Sequence, residues 1–263
     1  MKNIDNEKKI AVLIDADNAQ YSKIKQILAE ISSHGHIITK RAYGDWSTEN
    51  LKNWKNPLNE YSIQPIQQFA YTTGKNSTDA SMIIDAMDLL YTEKYDAFAI
   101  ISSDSDFTRL AARLRESEIF VFGVGENKTP TAFRNACDDF ILVENIEKEV
   151  ITIDKPEPLA DQRSEVVAPT SKSLRSKETE EELDIELLKK LLGIASEKYS
   201  DENGWTNVVS ASQYIKRSRP DFDPRSFGYP NMPSLLKGLD SFYETSKFPG
   251  KGTVMIVGYR PRN

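Results

Sequence analysis

The sequence predicts an α/β fold: a parallel sheet with helices on both faces, followed by a linker and a small C-terminal domain. Three observations carry this. Short apolar runs such as Lys9–Ile14 (KIAVLI) and Ala97–Ser102 (AFAIIS) read as strands buried on both faces, and they alternate with amphipathic segments. The stretch 154–180 (DKPEPLADQRSEVVAPTSKSLRSKETE) is rich in Pro, Ser, Thr and charge and nearly devoid of large apolar residues, so it cannot offset its ordering entropy. The charge balance also changes along the chain, from 17 basic and 23 acidic residues in 1–150 to 8 and 13 in 151–203 and 9 and 4 in 204–263. The expected organisation is a domain at 1–150, a flexible linker at 151–182 and a second domain at 183–263.

Within the first domain the order is strand 9–14, helix 19–32, strand 37–43, helix 48–60, short strand 63–66, helix 77–91, strand 97–102, helix 107–117, strand 119–123, helix 130–136 and a last strand at 141–143. Strands alternating with helices imply a parallel sheet. In the second domain Leu183 to Tyr199 is amphipathic. Short helices follow near 210–217 and 232–239, and Phe242–Tyr243 is expected to pair with Thr253–Val257 across FPGKG. Three helices and a hairpin describe a winged helix.

Composition narrows the function. No apolar run approaches the roughly 20 residues needed to span a bilayer, and the start MKNIDNEKKIAVLID lacks a signal pattern, so a cytoplasmic protein without membrane contact is expected. The single cysteine, Cys137, excludes an intramolecular disulfide and a cysteine-based zinc site. The net charge of −6 argues against a uniformly basic nucleic-acid coat, but a metal site needs clustered carboxylates. His34 and His36 fall together in the turn SSHGH and read as surface residues rather than a general base.

The acids sit where such a fold builds sites. Asp15, Asp17 and Asn18 follow the first strand, and Asp104 and Asp106 follow the strand AFAIIS. Open parallel sheets bind ligands outside the carboxyl ends of their strands. Either Asp15 or Asp106 alone would pass as a helix N-cap; two clusters at corresponding strand ends favour a shared site. Carboxylates gathered in one crevice repel unless a cation neutralises them, and hard oxygen ligands point to Mg²⁺ or Mn²⁺. On helix 77–91, Met82, Ile83, Ala86 and Leu90 form the apolar face, with Asp79 within that arc, Asp85 on its flank and Asp88 opposite. Asp79 is expected to reach the acidic crevice. Asp85 is expected to be solvated or peripheral, and Lys75 to be either a phosphate contact or an exposed loop lysine.

The segments IAVLIDADNA, GKNSTDASMIIDAMDLL and YDAFAIISSDSDFTRLAARLRESEIFVFGVG resemble the three signature motifs of the NYN family of PIN-like, LabA-like nucleases, in the family's order and over about residues 9–146. The resemblance implies a PIN-like Rossmannoid sheet and an RNA-cleaving Mg²⁺ or Mn²⁺ site formed by Asp15, Asp79, Asp104 and Asp106, with Asn18 as the polar residue of the first motif. Ser103 stands where the family often has Gly. The pattern from GWTNVVSASQYI to FGYPNMPSLLKGLDSFY resembles the OST-HTH/LOTUS family, which is often fused to NYN domains. That resemblance implies an RNA-binding module, or in some animal members one that binds a protein partner. Arg217, Arg219, Arg225, Lys237 and Lys251 are the candidate phosphate contacts, and Phe227 and Tyr229 either stack on bases or fill the small core.

The expected function is a metal-dependent endoribonuclease targeted to RNA by its C-terminal domain, with a homodimer compatible with the sequence. A noncatalytic RNA-binding adaptor is the alternative. A haloacid-dehalogenase-type phosphatase is a third class, suggested by the strand-end DxD of VLIDADNA. It is disfavoured because Ala19 stands where that class usually has Thr or Val.

Overall fold

A computed structural model describes residues 7–69, 77–146, 171–249 and 255–262, and within 171–184 the backbone course only. Lys75, Lys251, most of the expected linker and most of the hairpin turn lie outside the described residues. Contacts divide the chain into two compact units, one of residues 1–149 with 216–226 and one of residues 150–215 with 227–263. Among the described residues no helix is long and apolar enough to cross a membrane.

The first unit is built on six strands, β1 (Lys9–Asp15), β2 (His36–Gly44), β3 (Gln64–Gln67), β4 (Ala97–Ile101), β5 (Phe120–Gly125) and β6 (Asp139–Leu142). They form one sheet in the order β3-β2-β1-β4-β5-β6, and every pairing is parallel. The intervening helices are α1 (Ile24–Ser32), α2 (Lys55–Glu60), α3 (Ser77–Leu90), α4 (Thr108–Glu116), α5 (Thr131–Ala136) and α6 (Val143–Ile146). Strand alternation sorts the core into two layers. Ile10, Val12 and Ile14 face α1 and α6, whereas Ala11 and Leu13 face α3, α4 and α5. β1 is buried on both faces, as its continuous apolar run requires.

The sheet order places β1 beside β4, although 81 residues separate their ends (15 to 97 less one). The chain leaves β1 towards β2 and β3, then crosses back to β4 on the other side. The gap between β1 and β4 is therefore the topological switch point, where parallel sheets open a crevice. Asp15, the last residue of β1, shares its strand parity with Ala11 and Leu13, so it belongs to the face covered by α3.

Several boundaries shifted in this unit: the helix expected at 48–60 is a 3-10 segment Glu49–Trp54 followed by α2, and the strand expected at 141–143 runs Asp139–Leu142. The helix expected from Ala19 begins at Ile24, after a short 3-10 turn at Tyr21–Lys23. Asn18 and Ala19 donate backbone hydrogen bonds to the Asp15 carbonyl, which folds residues 15–19 into a turn before the helix starts.

The second unit contains α7 (Ser171–Tyr199), β7 (Thr206–Asn207), most of α8 (Val208–Ser218), α9 (Met232–Gly238), β8 (Tyr243–Pro249) and β9 (Met255–Pro261). The strands form an antiparallel sheet in the order β7-β9-β8. Its core gathers Leu188, Leu192 and Ala195 of α7, Ala211 and Ile215 of α8, Leu235 and Leu236 of α9, and Tyr243 and Tyr259 of the sheet. The Tyr259 hydroxyl donates to the Leu192 carbonyl at 2.8 Å, and that of Tyr243 to the Lys189 carbonyl at 3.0 Å, fastening sheet to helix. Helix α7 starts within the stretch expected to be a linker. Between Pro169 and Gly193 the sequence has no breaker and is dense in Lys, Glu and Leu, so helix propagation extends backwards from the buried face.

Candidate metal centre

Three carboxylates converge at the switch point. One oxygen from each of Asp79, Asp104 and Asp106 lies within 4.8 Å of the other two. Oxygen ligands sit about 2.0–2.6 Å from a hard divalent cation, so ligands on one ion are separated by up to about 4–5 Å. The donor set therefore fits such an ion. Asp104 and Asp106 come from the turn after β4. Asp104 caps the 3-10 turn Ser105–Phe107, where its Oδ1 accepts the Asp106 N–H at 2.9 Å. The cap thus orients the Asp104 carboxylate against the Asp106 backbone and uses only one of its oxygens. Asp79 enters from the first turn of α3.

Asp15 is handled differently. It is 1% exposed, the most buried acid among the described residues, and its Oδ2 accepts hydrogen bonds from the Ser102 hydroxyl and the Asn18 side-chain amide, both at 2.7 Å. Its Oδ1 takes only a long 3.3 Å bond from the Asn18 N–H. Ser102 also accepts the Asp104 N–H at 3.0 Å, so one buried hydroxyl links the end of β1 to the acidic turn after β4. The expected four-acid cluster is thus three converging carboxylates plus a fourth held by hydrogen bonds. Asn18 orients Asp15. Ser103, at the position often occupied by Gly, accepts the Glu126 N–H at 2.9 Å.

The electrostatics follow from this crowding. Asp79 has its pKa pushed up to about 6, by burial first and then by the negative charges of Asp15, Asp104, Asp106 and Asp17. Burial also raises Asp15, opposed by the Ser102 and Asn18 hydrogen bonds. Asp17 is raised by burial and by Asp45, against a hydrogen bond from Thr78 that lowers it. A cation bound among Asp79, Asp104 and Asp106 would offset the repulsion these charges impose on Asp79.

Asp85 departs from the sequence expectation. It is half-buried and bonded to the Arg41 guanidinium and the Tyr43 hydroxyl of β2. This neutralises it and ties the middle of α3 to the sheet. Asp88 is exposed, as expected. Sequence reasoning also missed Ser102, whose signal was only its place between the last strand residues and SDSD. In the C-terminal part, Arg217 is exposed, and Arg219 lies 3.5 Å from Asp221. Arg225 is only 11% exposed and pairs with Asp223, which removes it from the candidate phosphate contacts. Lys237 is exposed. Tyr229 packs on Gly238, where a Cβ would lie 2.1 Å from the tyrosine oxygen, and its ring is half-buried there.

An all-parallel sheet with carboxylates gathered over its switch point defines an α/β protein with an acidic crevice at its strand ends. The chain belongs to the NYN domain family, which matches residues 9–144, just over half its length, and the OST-HTH/LOTUS domain family matches residues 177–255. At the family level this joins a nuclease-type domain, of a kind that generally works with divalent metals, to an RNA-binding-type module. An uncharacterized protein of Methanocaldococcus jannaschii is 26% identical over 152 residues, which cover 52% of this chain and 56% of that protein. Two solved structures also align. A Vibrio parahaemolyticus protein of unknown function has TM-score 0.46 at 17% identity, covering 56% of this chain and 98% of its own. An uncharacterized Nitrosomonas europaea protein has TM-score 0.27 at 23% identity, covering 43% and 90%.

Proposed function

We propose that the chain is a metal-dependent endoribonuclease acting in the cytoplasm, with Asp79, Asp104 and Asp106 as ligands of Mg²⁺ or Mn²⁺ and Asp15 completing the charge of the site. The observation that carries this is the convergence of those three carboxylates within 4.8 Å, in a domain of a nuclease family. When bound, the cation would polarise the scissile phosphate and lower the pKa of a coordinated water. The chain's own residues have distinct tasks. The cap bond from the Asp106 N–H orients the Asp104 carboxylate and leaves its second oxygen for a ligand. Ser102 and Asn18 keep Asp15 oriented while leaving Oδ1 lightly used. Asp79, with its pKa near 6, ionises fully only when a cation or neutral pH favours its charge.

RNA would be held on its phosphates by Lys251 of the C-terminal module and by Arg217 and Arg219 of the segment 216–226, which groups with the first unit, with Lys75 near the scissile group. Labelled RNA and DNA, single- and double-stranded, incubated with Mg²⁺ or Mn²⁺ and with an EDTA control, test this. Metal-dependent RNA cleavage that disappears in Asp104→Asn is the expected result. RNA binding without cleavage, after contaminating nuclease is excluded, would leave a noncatalytic adaptor instead.

A further inference from the structure

The small antiparallel sheet has one face on the helices and one face away from them. Tyr243 and Tyr259 are buried against α7, and Thr206, paired with Tyr259, is buried with them. Strand alternation then assigns the opposite parity to the open face. Ser246 pairs with Gly258, Phe248 with Ile256 and Glu244 with Arg260, all of that parity, and Trp205 precedes Thr206 at the edge.

An open sheet face is ordinarily polar. This one carries two aromatic rings and a planar cation in mutual contact. Trp205 and Phe248 have ring centroids 4.9 Å apart at 67°. The Arg260 guanidinium lies over the Trp205 ring, 4.6 Å from its centroid. A Cβ at Gly258 would come within 3.0 Å of the Phe248 ring, so the missing side chain lets that ring lie across the middle strand towards Trp205. The rings are half-buried and the Arg260 side chain is 42% exposed, so solvent reaches the group. Glu244 Oε2 accepts the Arg260 Nε–H at 2.8 Å and pairs with its Nη2 at 2.8 Å, which holds the guanidinium in place. A cross-strand aromatic pair can simply stabilise a hairpin, but that role does not call for a stacked guanidinium held in place on the solvent side. Rings and guanidinium planes together are the surface on which unpaired bases stack. In the same unit, residues 227–263 carry 5 basic and 2 acidic side chains, a balance that favours phosphates. A purely apolar partner helix would instead meet Glu244, Arg260 and Ser246 among the rings.

We propose that the open face of this sheet, centred on Trp205, Phe248 and Arg260, binds unpaired bases of single-stranded RNA by stacking. The proposal rests on the RNA-targeting reading above and locates its contact surface apart from the basic residues named there. The full chain is titrated in EDTA with a fluorescein-labelled mixed-sequence oligoribonucleotide, single-stranded and as a duplex. Trp205→Leu keeps the apolar bulk and removes the ring, so single-strand affinity should fall about five- to a hundred-fold, the range for losing a stacked base. Trp205→Phe should retain most of the affinity. Stacking releases no counterions, so the slope of log affinity against log salt should stay unchanged while the affinity drops. Trp205 is the only tryptophan beyond residue 150, so quenching of intrinsic fluorescence by RNA should disappear in Trp205→Phe. Phe248→Leu is the second variant, and circular dichroism melts confirm that each variant folds. Unchanged single-strand affinity in both folded leucine variants, or a duplex bound as tightly as the single strand, overturns the proposal and leaves RNA targeting intact. Failure of the unaltered chain to bind RNA overturns both.

Discussion

Asp79 and Asp85 lie on the same helix, six residues apart, and are both half-buried, yet their surroundings are opposite. Asp79, in the first turn of α3, faces four other carboxylates and has its pKa pushed to about 6. Asp85, nearly two turns on, faces the Arg41 guanidinium and the Tyr43 hydroxyl. Burial penalises an ionised carboxylate in both places. At Asp85 the protein provides the compensating charge itself, so the acid is part of the scaffold. At Asp79 the neighbours make the penalty larger, and the charge remains to be balanced from outside. Residue type and helix position therefore do not identify a ligand; the sign of what surrounds it does.

The largest test of this contrast is chemical. Asp79→Asn and Asp104→Asn should reduce metal-dependent RNA cleavage by orders of magnitude, because the cation's electrostatic contribution is lost. Their metal-free melting temperatures should be unchanged or raised, because each removes a repelled charge. Retained cleavage in either would break the assignment. Asp85→Asn should do the reverse. It leaves Arg41 without its counter-charge, and the Arg41 Nε is already buried without a partner. A stability loss of about 1–3 kcal/mol is expected, read as a lower urea midpoint, while cleavage per folded molecule stays near normal.

The pH dependence of stability sharpens the comparison at a smaller scale. Asp79 is raised from its ordinary 3.8 to about 6, so between those values the folded state holds more protons than the unfolded chain. Its contribution is fully present below about pH 4 and is lost as pH rises through 6. The metal-free protein should therefore lose melting temperature over that interval relative to Asp79→Asn. Mg²⁺ should restore it above pH 6 and do little at pH 4.5, where protons compete for the ligands. Asp88→Asn, on the exposed face of the same helix, should change stability by less than about 0.5 kcal/mol and leave cleavage alone. A larger effect would mean that the outer face of α3 takes part in the site.

Much of this was legible before the fold was known. The apolar runs marked β1 and β4, and the acids that follow them marked the end of the sheet where a site would form. Helical periodicity put Asp79 in the buried arc of α3 and Asp88 outside it. The same periodicity could only place Asp85 on the flank, because its partners Arg41 and Tyr43 stand 44 and 42 residues away and belong to β2. Ser102 escaped notice for a similar reason, since its role lies in bridging Asp15, 87 residues earlier, to the backbone of Asp104. Arg225 looked like a phosphate contact in a basic segment, and only its burial against Asp223 showed otherwise.

The sequence by itself determined which end of the sheet carries the acids. Parallel strands all present their carboxyl ends on the same side, so any acid that closes a buried strand must emerge there. The tertiary structure alone decided which acids share one volume. That depends on β4 lying beside β1 rather than at an edge, on strand parity turning Asp15 to the face covered by α3, and on the rotation at which α3 packs against that face. These are through-space relations among segments distant in the chain. Coulomb energies depend on separation in space and on what solvates each charge, not on separation in sequence.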